Sequence, residues 1–262
     1  MLICPKCKLK LVKIDNTYKC PNNHSYDIAK GGYVNLLISR TNSGDCKEMV
    51  DARNNFLNKC YYQPLALKIC EILASYLYPN DYILDGGCGS GYYDSIIKLK
   101  YPNIIGFDIS KDAIIKTTKN NIDLDYFVAS GNNIPIEDNC ISCVLNIFAP
   151  TFASESFRVL KNDGILIVVL PGEDHLIELK QSIYDNPYQN QVSVPSFDGF
   201  KIDKSFDLTF KKEIPNEDLI NVSKMTPYFY KTKKESFDNL LKIDKLDMTI
   251  SFKIYVYKKT NC

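Results

Sequence analysis

The 262-residue chain contains no apolar run of about eighteen residues or more, so no membrane-spanning helix is expected. Its first ten residues, Met1 to Lys10, carry lysines and cysteines where a secretion signal would have an apolar core. The protein is therefore expected in the cytoplasm. Its ten cysteines are expected to bind metal or to pack as small apolar groups, not to form disulfides. Arginine is scarce, at Arg40, Arg53 and Arg158 only, and histidine occurs only at His24 and His175. Net charge is +1, so bulk composition alone does not announce a nucleic-acid binder. No fixed-period repeat or low-complexity tract appears, so a solenoid is not expected.

What is present suits one full α/β domain with a small appendage. Hydrophobic residues make up 45%, enough for a sizeable core, and charged residues an ordinary 24%. The charge is unevenly placed. Residues 1–40 hold seven basic and two acidic residues, a balance of +5, against 25 basic and 29 acidic in the remainder. A general preference for lysine accounts for part of this, but a basic head on a mildly acidic body also points to a polyanionic partner.

The head carries a metal-ligand pattern. Cys4-Pro5-Lys6-Cys7 is followed, after twelve residues, by Cys20-Pro21-Asn22-Asn23-His24. Three thiolates and an imidazole make a closed tetrahedral Zn²⁺ set with no open position, so the metal is expected to be structural. Short strands at Lys10–Val12 and Tyr18–Lys19 should join the two ligand turns. A unit of this size cannot build a sufficient core without such a staple. Losing the metal, as in Cys7→Ser, is expected to loosen residues 1–40 and to leave cofactor binding elsewhere largely intact. Cys140-Ile141-Ser142-Cys143 has no second pair at metal spacing and lies in an expected buried strand, where cysteine acts as a small apolar residue.

Three zones follow from the pattern: a zinc-binding domain over 1–40, a linker over 41–62, and an α/β domain over 63–262. The linker opens with Thr41-Asn42-Ser43-Gly44-Asp45 and continues into a short helix from about Cys46 to Leu57. A helix after Pro64 has apolar residues at helical spacing, from Leu65 to Tyr76. Strands are expected at 82–84, 103–108, 125–129, 141–148 and 165–170, with a helix to about Lys100 and another near 111–119 capped by Ser110. The strands are near-continuous apolar runs, the mark of burial on both faces of a parallel sheet. Their alternation with helices predicts a doubly wound, mostly parallel, seven-stranded sheet. Alternating segments at Phe206–Phe210 and Met248–Tyr257 suit late antiparallel strands at one edge.

Leu84-Asp85-Gly86-Gly87-Cys88-Gly89-Ser90-Gly91 follows a strand and opens a helix. Gly87, Gly89 and Gly91 permit positive φ and close approach of a ligand. Asp108, at the end of the next strand, can accept both ribose hydroxyl protons. The dinucleotide fingerprint spaces its glycines differently. Asp85-x-Gly-x-Gly-x-Gly resembles motif I of the class I S-adenosylmethionine methyltransferases, Asp108 matches their acid after the second strand, and Ala129-Ser130-Gly131-Asn132 matches their adenine-contacting loop.

A narrower resemblance spans nearly the whole chain. It is carried by the zinc segment and His24-Ser25-Tyr26-Asp27-Ile28-Ala29-Lys30, by Gly32-Tyr33-Val34-Asn35-Leu36-Leu37, and by Ala52-Arg53 and Tyr62-Gln63-Pro64-Leu65. Later stretches are Ala149-Pro150, Pro171-Gly172, His175-Leu176-x-Glu178-Leu179-Lys180 and Met225-Thr226-Pro227. Together these resemble the bacterial 23S rRNA (guanine-N1)-methyltransferases of the RlmA/TlrB type. The resemblance implies that Cys4, Cys7, Cys20 and His24 bind zinc and that Tyr62, Gly91, Tyr92 and His175 touch the cofactor. It also implies homodimers and one guanine of a 23S rRNA hairpin loop as the target.

Methyl transfer to a ring nitrogen is an in-line displacement, so the enzyme's task is mostly alignment and access to the base. The fourth strand ends at Asn146-Ile147-Phe148-Ala149-Pro150, where Phe148 could stack on guanine and Asn146 could bond its edge. The alternative for Phe148 is core packing. Glu178 and His175 are candidate proton acceptors. A different reading of the whole chain is a small-molecule methyltransferase acting on a quinone or lipid precursor, which would have no need of a basic zinc head.

Overall fold

The computed structural model describes residues 1–39, 45–121, 123–184, 186–226 and 239–260. Thr41 to Gly44 of the linker turn, Arg40 and Pro227 lie outside them. The N-terminal segment forms β1 (Val12–Ile14), β2 (Thr17–Lys19) and β3 (Ser25–Asp27), a three-stranded antiparallel sheet, and then β4 (Val34–Asn35). Two helices follow, α1 (Lys47–Asn58) and α2 (Gln63–Leu73). The alternating series is β5 (Ile83–Gly86), α3 (Tyr92–Ile97), β6 (Ile104–Asp108), α4 (Lys111–Asn120), β7 (Asp125–Val128), β8 (Ile141–Ile147), α5 (Ala153–Val159) and β9 (Leu160–Pro171). The chain closes with α6 (Ile177–Ile183), β10 (Phe200–Pro215), α7 (Asn216–Lys224) and β11 (Lys245–Lys259).

The main sheet runs β10-β11-β9-β8-β5-β6-β7-β4. From β9 to β4 it is parallel, and β11 enters antiparallel between β9 and β10. Strands β5 and β8 carry no exposed residue, as the unbroken apolar runs require. Chain order reverses at β5, whose neighbours are β6 on one side and β8 on the other. That switch point opens a crevice at the strands' carboxyl ends. Ser110 caps α4 as expected, its Oγ accepting from the Ala113 N–H.

Seven of the eight strands make the expected sheet. The eighth, β4, comes from the N-terminal segment and pairs parallel with β7, Val34 opposite Phe127. Two residues are too few to show a period, so this strand left no sequence signal. Helices α5 and α6 have seven residues each and escaped notice for the same reason. Strand β10 is far longer than the expected Phe206–Phe210 because both of its ends are charged and exposed, yet it pairs along its length with β11.

The zinc segment is docked on the main domain. The Ile3 N–H donates to the Pro135 carbonyl at 3.0 Å and the Glu137 N–H to the Met1 carbonyl at 2.8 Å. Asn133 Nδ2 donates to the Pro5 carbonyl at 3.1 Å, and Lys8 Nζ donates to Asn133 Oδ1. The Leu36 N–H donates to the Val128 carbonyl at 2.8 Å. Cys4, Leu11, Cys20, Val34 and Leu36 belong to the same core cluster as Leu84, Phe127 and Ile136. The head is therefore part of one continuous core and not an independent appendage.

Candidate active site and metal centre

A cavity of about 690 Å³ lies at the carboxyl ends of β5 to β8. Its glycine-loop wall is built by tight backbone geometry. Gly87, Gly89 and Gly91 have φ of +80°, +56° and +70°. A Cβ on Gly87 would come within 2.6 Å of Ala149 Cβ, so the loop after β5 and the loop after β8 can touch only through glycine. A Cβ on Gly89 would meet nothing within 4 Å, because Gly89 faces the cavity.

Asp108 is fixed by two backbone donors, Gly89 N–H to Oδ2 at 3.0 Å and Ser110 N–H to Oδ1 at 2.7 Å. Each oxygen keeps a second lone pair for a ligand. Burial raises its pKa, and the two N–H groups work against that rise. Ile109, Ala129, Ser130, Gly131 and Asn132 continue the wall beside it. Asp85, Tyr62 and Tyr92 also line the cavity. Asp85 Oδ1 and the Tyr92 and Tyr93 hydroxyls are buried without a protein partner, polar groups left over for a ligand or water.

The opposite wall was not singled out chemically from sequence. Met49 and Arg53 of α1, Asp45 before it and Met225 after α7 face the glycine loop across the cavity. Arg53 pairs with Asp45 and donates to the Met225 carbonyl at 3.3 Å. Lys224 pairs with Glu48 at 2.8 Å. These contacts join residues far apart in the chain, so no local pattern reveals them. Ala52-Arg53 and Met225 appear only within the stretches that carry the family resemblance.

At the end of β8, Phe148 is 41% exposed with φ of +55°, and it lines the cavity. A bulky side chain in that region carries backbone strain, a feature that collects at functional sites. The alternative of core packing for Phe148 is not what the structure shows. Asn146 plays a different part from the one expected. It is 4% exposed, its Nδ2 donates to the Pro150 carbonyl at 2.9 Å, and its Oδ1 accepts from Thr151 Oγ1 at 3.0 Å. Asn146 therefore staples the loop that presents Phe148, and it does not line the cavity.

Neither candidate proton acceptor reaches the cavity wall. Both oxygens of Glu178 are engaged by Thr249, through its N–H at 2.8 Å and its hydroxyl at 2.6 Å. His175 lies behind Tyr62. Its Nδ1 accepts the Ser251 N–H at 3.2 Å, so the neutral ring carries its proton on Nε2, 3.1 Å from the Tyr62 hydroxyl. Burial, with Lys180 nearby, brings its pKa down to about 3. His175 is a neutral support for Tyr62 and Phe148, with ring centroids 5.9 Å and 6.5 Å away. Gly91 also stands off the cavity wall. It opens α3, and a Cβ there would strike Asn121 and Thr117 at 2.7 Å.

The metal centre assembles as the spacing requires. Donor atoms of Cys4, Cys7, Cys20 and His24 all lie within 4.8 Å of one another. His24 Nδ1 is 3.4 Å from Cys4 Sγ and 3.5 Å from Cys20 Sγ, and Cys7 Sγ is 3.6 Å from Cys20 Sγ. A tetrahedron with ordinary Zn–S and Zn–N bonds has edges of about 3.5–3.8 Å. The donor set therefore fits zinc, with His24 binding through Nδ1. The Tyr26 hydroxyl lies 3.2 Å from Cys4 Sγ. Burial opposes the Cys4 thiolate, but this hydrogen bond and nearby backbone donors outweigh it and bring the thiol down to about 6. Cys143 is fully buried and its thiol pushed up by burial, consistent with packing and not with redox chemistry.

Comparison with known proteins agrees with both halves. Residues 2–41 match the family model of the RlmA N-terminal zinc ribbon, and residues 84–168 match a methyltransferase domain. The chain is 30% identical to a putative 23S rRNA (guanine-N1)-methyltransferase, YxjB, of Bacillus subtilis (strain 168), over 99% of this chain and 97% of that protein. It is 32% identical to the 23S rRNA (guanine(748)-N1)-methyltransferase of Streptomyces fradiae, over 70% and 67% of the two chains. A putative 23S rRNA (guanine-N1)-methyltransferase of Micromonospora griseorubida is 32% identical over 68% of each chain. The chain belongs to this family.

Membership supplies the cofactor and the metal. The protein is an S-adenosylmethionine-dependent methyltransferase with a structural zinc ribbon. The wall residues fit the cofactor: Asp108 for the ribose, Ile109 and the Ser130 loop for the adenine, and the unpartnered Asp85 carboxyl for the amino-acid end. No helix among the described residues is long and apolar enough to cross a membrane.

Proposed function

We propose that this protein transfers the methyl group of S-adenosylmethionine to N1 of a guanine in a 23S rRNA hairpin loop, in the cytoplasm and as a homodimer. The observation that carries the reading is Phe148. It is an exposed aromatic face, held in a strained backbone at the mouth of the cofactor cavity by the Asn146 staple. A base splayed out of a loop can stack on such a face. The names of the full-length relatives support guanine N1 as the target. The exposed lysines of the docked ribbon, Lys6, Lys10 and Lys13, suit a phosphate backbone.

S-adenosylmethionine would supply an electrophilic methyl group on a sulfonium, and the proton that guanine N1 loses would pass to water, because Glu178 and His175 are both engaged away from the cavity. The chain's own residues supply alignment. Asp108 and the glycine loop fix the cofactor, and Phe148 fixes the plane of the base. Holding two reactants in line is the main lever available to such an enzyme.

The test is transfer of label from tritiated S-adenosylmethionine to 23S rRNA, to its isolated hairpins, or to a lipid and quinone extract. A methyl group on guanine N1 blocks the Watson–Crick edge, so reverse transcription should stop beside one guanine of the labelled RNA. Label appearing only in the extract would replace this reading with small-molecule methylation. Sedimentation of the full chain tests the dimer.

A further inference from the structure

Two buried acids meet beneath the cofactor cavity. Asp85, at the end of β5, lines the cavity and is 2% exposed; Asp94, in the first turn of α3, is fully buried. Asp85, Gly106 and Tyr126 stand in one row across β5, β6 and β7, and the Tyr126 ring lies where a Gly106 side chain would be, so the acid that its hydroxyl bonds is held beside Asp85. Asp94 Oδ2 accepts from the Tyr126 hydroxyl at 3.0 Å. The Oδ1 atoms of both acids are buried and have no hydrogen-bond partner. Two neighbouring buried carboxylates repel each other when both are ionised, so the pair favours keeping one proton.

The surroundings offer no substitute for that proton. Cys88 and Cys143 face Asp85 as thiols pushed up by burial, and Asp108 adds negative charge. Lys98, the cation that acts on Asp94, is engaged by Asp123 at 2.7 Å. On the cavity wall the cation is Arg53, already paired with Asp45.

We propose that Asp85 and Asp94 share one proton in the cofactor-free protein, and that the α-ammonium group of S-adenosylmethionine displaces it on binding. The inference rests on the cofactor site described above. The step balances simply. One carboxyl O–H bond breaks, the proton goes to solvent, the ammonium keeps its own three protons, and both acids end ionised beside a cation. Asp85 is the contact. Asp94 is a positioning residue that acts through it. Burial raises both acids above the ordinary carboxylate range, and the charge of Asp94 raises Asp85 further.

Calorimetric titration at pH 7 in buffers of different ionisation enthalpy reads the protons released. S-adenosylhomocysteine, which keeps the α-ammonium, should release close to one proton per site from the wild type. Its affinity should rise toward ~10-fold between pH 6.5 and 7.5, the limit for one linked proton. Asp94→Asn should bind it with almost no release and a nearly flat pH dependence, because the amide donates to an Asp85 that is already ionised. Methylthioadenosine, which lacks the amino-acid end, should release none from the wild type. A second reading needs no variant: the infrared C=O stretch of a protonated carboxylic acid should vanish when S-adenosylhomocysteine binds. Binding without proton release, or equal release from Asp94→Asn, overturns the shared proton and leaves the cofactor site standing. Failure of S-adenosylhomocysteine to bind the wild type at all overturns both.

Discussion

Removing zinc should weaken cofactor binding, although no ligand of the metal lines the cofactor cavity. The perturbation is Cys7→Ser, or chelation of the wild-type metal. A structural zinc contributes about 10–16 kcal/mol to small modules of this kind, so its loss should unfold the ribbon. The ribbon holds the stretch after Ser130-Gly131-Asn132 through Ile3, Met1, Pro5 and Lys8, which bond Pro135, Glu137 and Asn133. The cavity is lined by residues 130 to 132 themselves. Freeing three backbone residues and re-ordering them on binding costs about 1–2 kcal/mol each, so the expected loss is at least about 3 kcal/mol, or roughly 150-fold in Kd. This replaces the expectation from sequence that cofactor binding would be largely unaffected. The assay is titration calorimetry with S-adenosylhomocysteine, run beside zinc analysis and circular dichroism. A protein that has lost its zinc, keeps a folded main domain and binds with unchanged Kd would refute the coupling.

Asp108→Ala should weaken S-adenosylmethionine binding by about 1.5–3 kcal/mol, the range for hydrogen bonds to a charged group, and calorimetry checks it. Phe148→Ala should lower kcat/KM for RNA by about 5- to 150-fold, the equivalent of ~1–3 kcal/mol of base stacking, with little change in S-adenosylhomocysteine affinity. An equal loss of both would make Phe148 a cofactor contact. His175 is held below its ordinary pKa, so the stability it contributes is complete above about pH 6.5 and is lost as pH falls toward about 3. His175→Asn should flatten the acid limb of urea midpoints against pH; superimposable limbs would show that His175 already titrates normally. RNA binding should weaken with salt at about −0.7 in log–log slope per phosphate contact on single strands, and replacing Lys6, Lys10 and Lys13 by Ala should flatten it by about two units. Anisotropy across a salt series measures this, and an unchanged slope would make the ribbon a structural cap. Lys8 is excluded from that set because it is committed to Asn133.

The parts of the site that were legible in sequence are those fixed by short-range geometry. The four zinc donors share two tight turns, and Asp85, Gly87, Gly89 and Asp108 sit at the ends of two adjacent apolar strands, so spacing alone placed them. What sequence could not show depends on contacts between distant segments. Glu178 looks like a free carboxylate until Thr249 of β11 is seen to occupy both of its oxygens. His175 follows a strand at the ligand-binding edge, yet the Ser251 N–H turns its ring away from the cavity. Asn146 stands where a base contact is expected, but a bond to Pro150 uses it as a loop staple. Arg53 was visible only as part of a likeness, since its partners are Asp45 and Met225. The apolar pattern, by contrast, located β5 to β9 along the chain because their central residues are buried on both faces, while the order of the strands in the sheet came from the structure.

Strand β4 imposes a sequence of events on the growing polypeptide. Val34 pairs with Phe127, about ninety residues downstream, so the sheet's outer margin stays open until β7 has been synthesised. The ribbon can gather its zinc as soon as His24 has emerged, since all four donors lie within the first two dozen residues. In the folded chain β4 covers the outer backbone groups of β7, which would otherwise invite pairing with another chain.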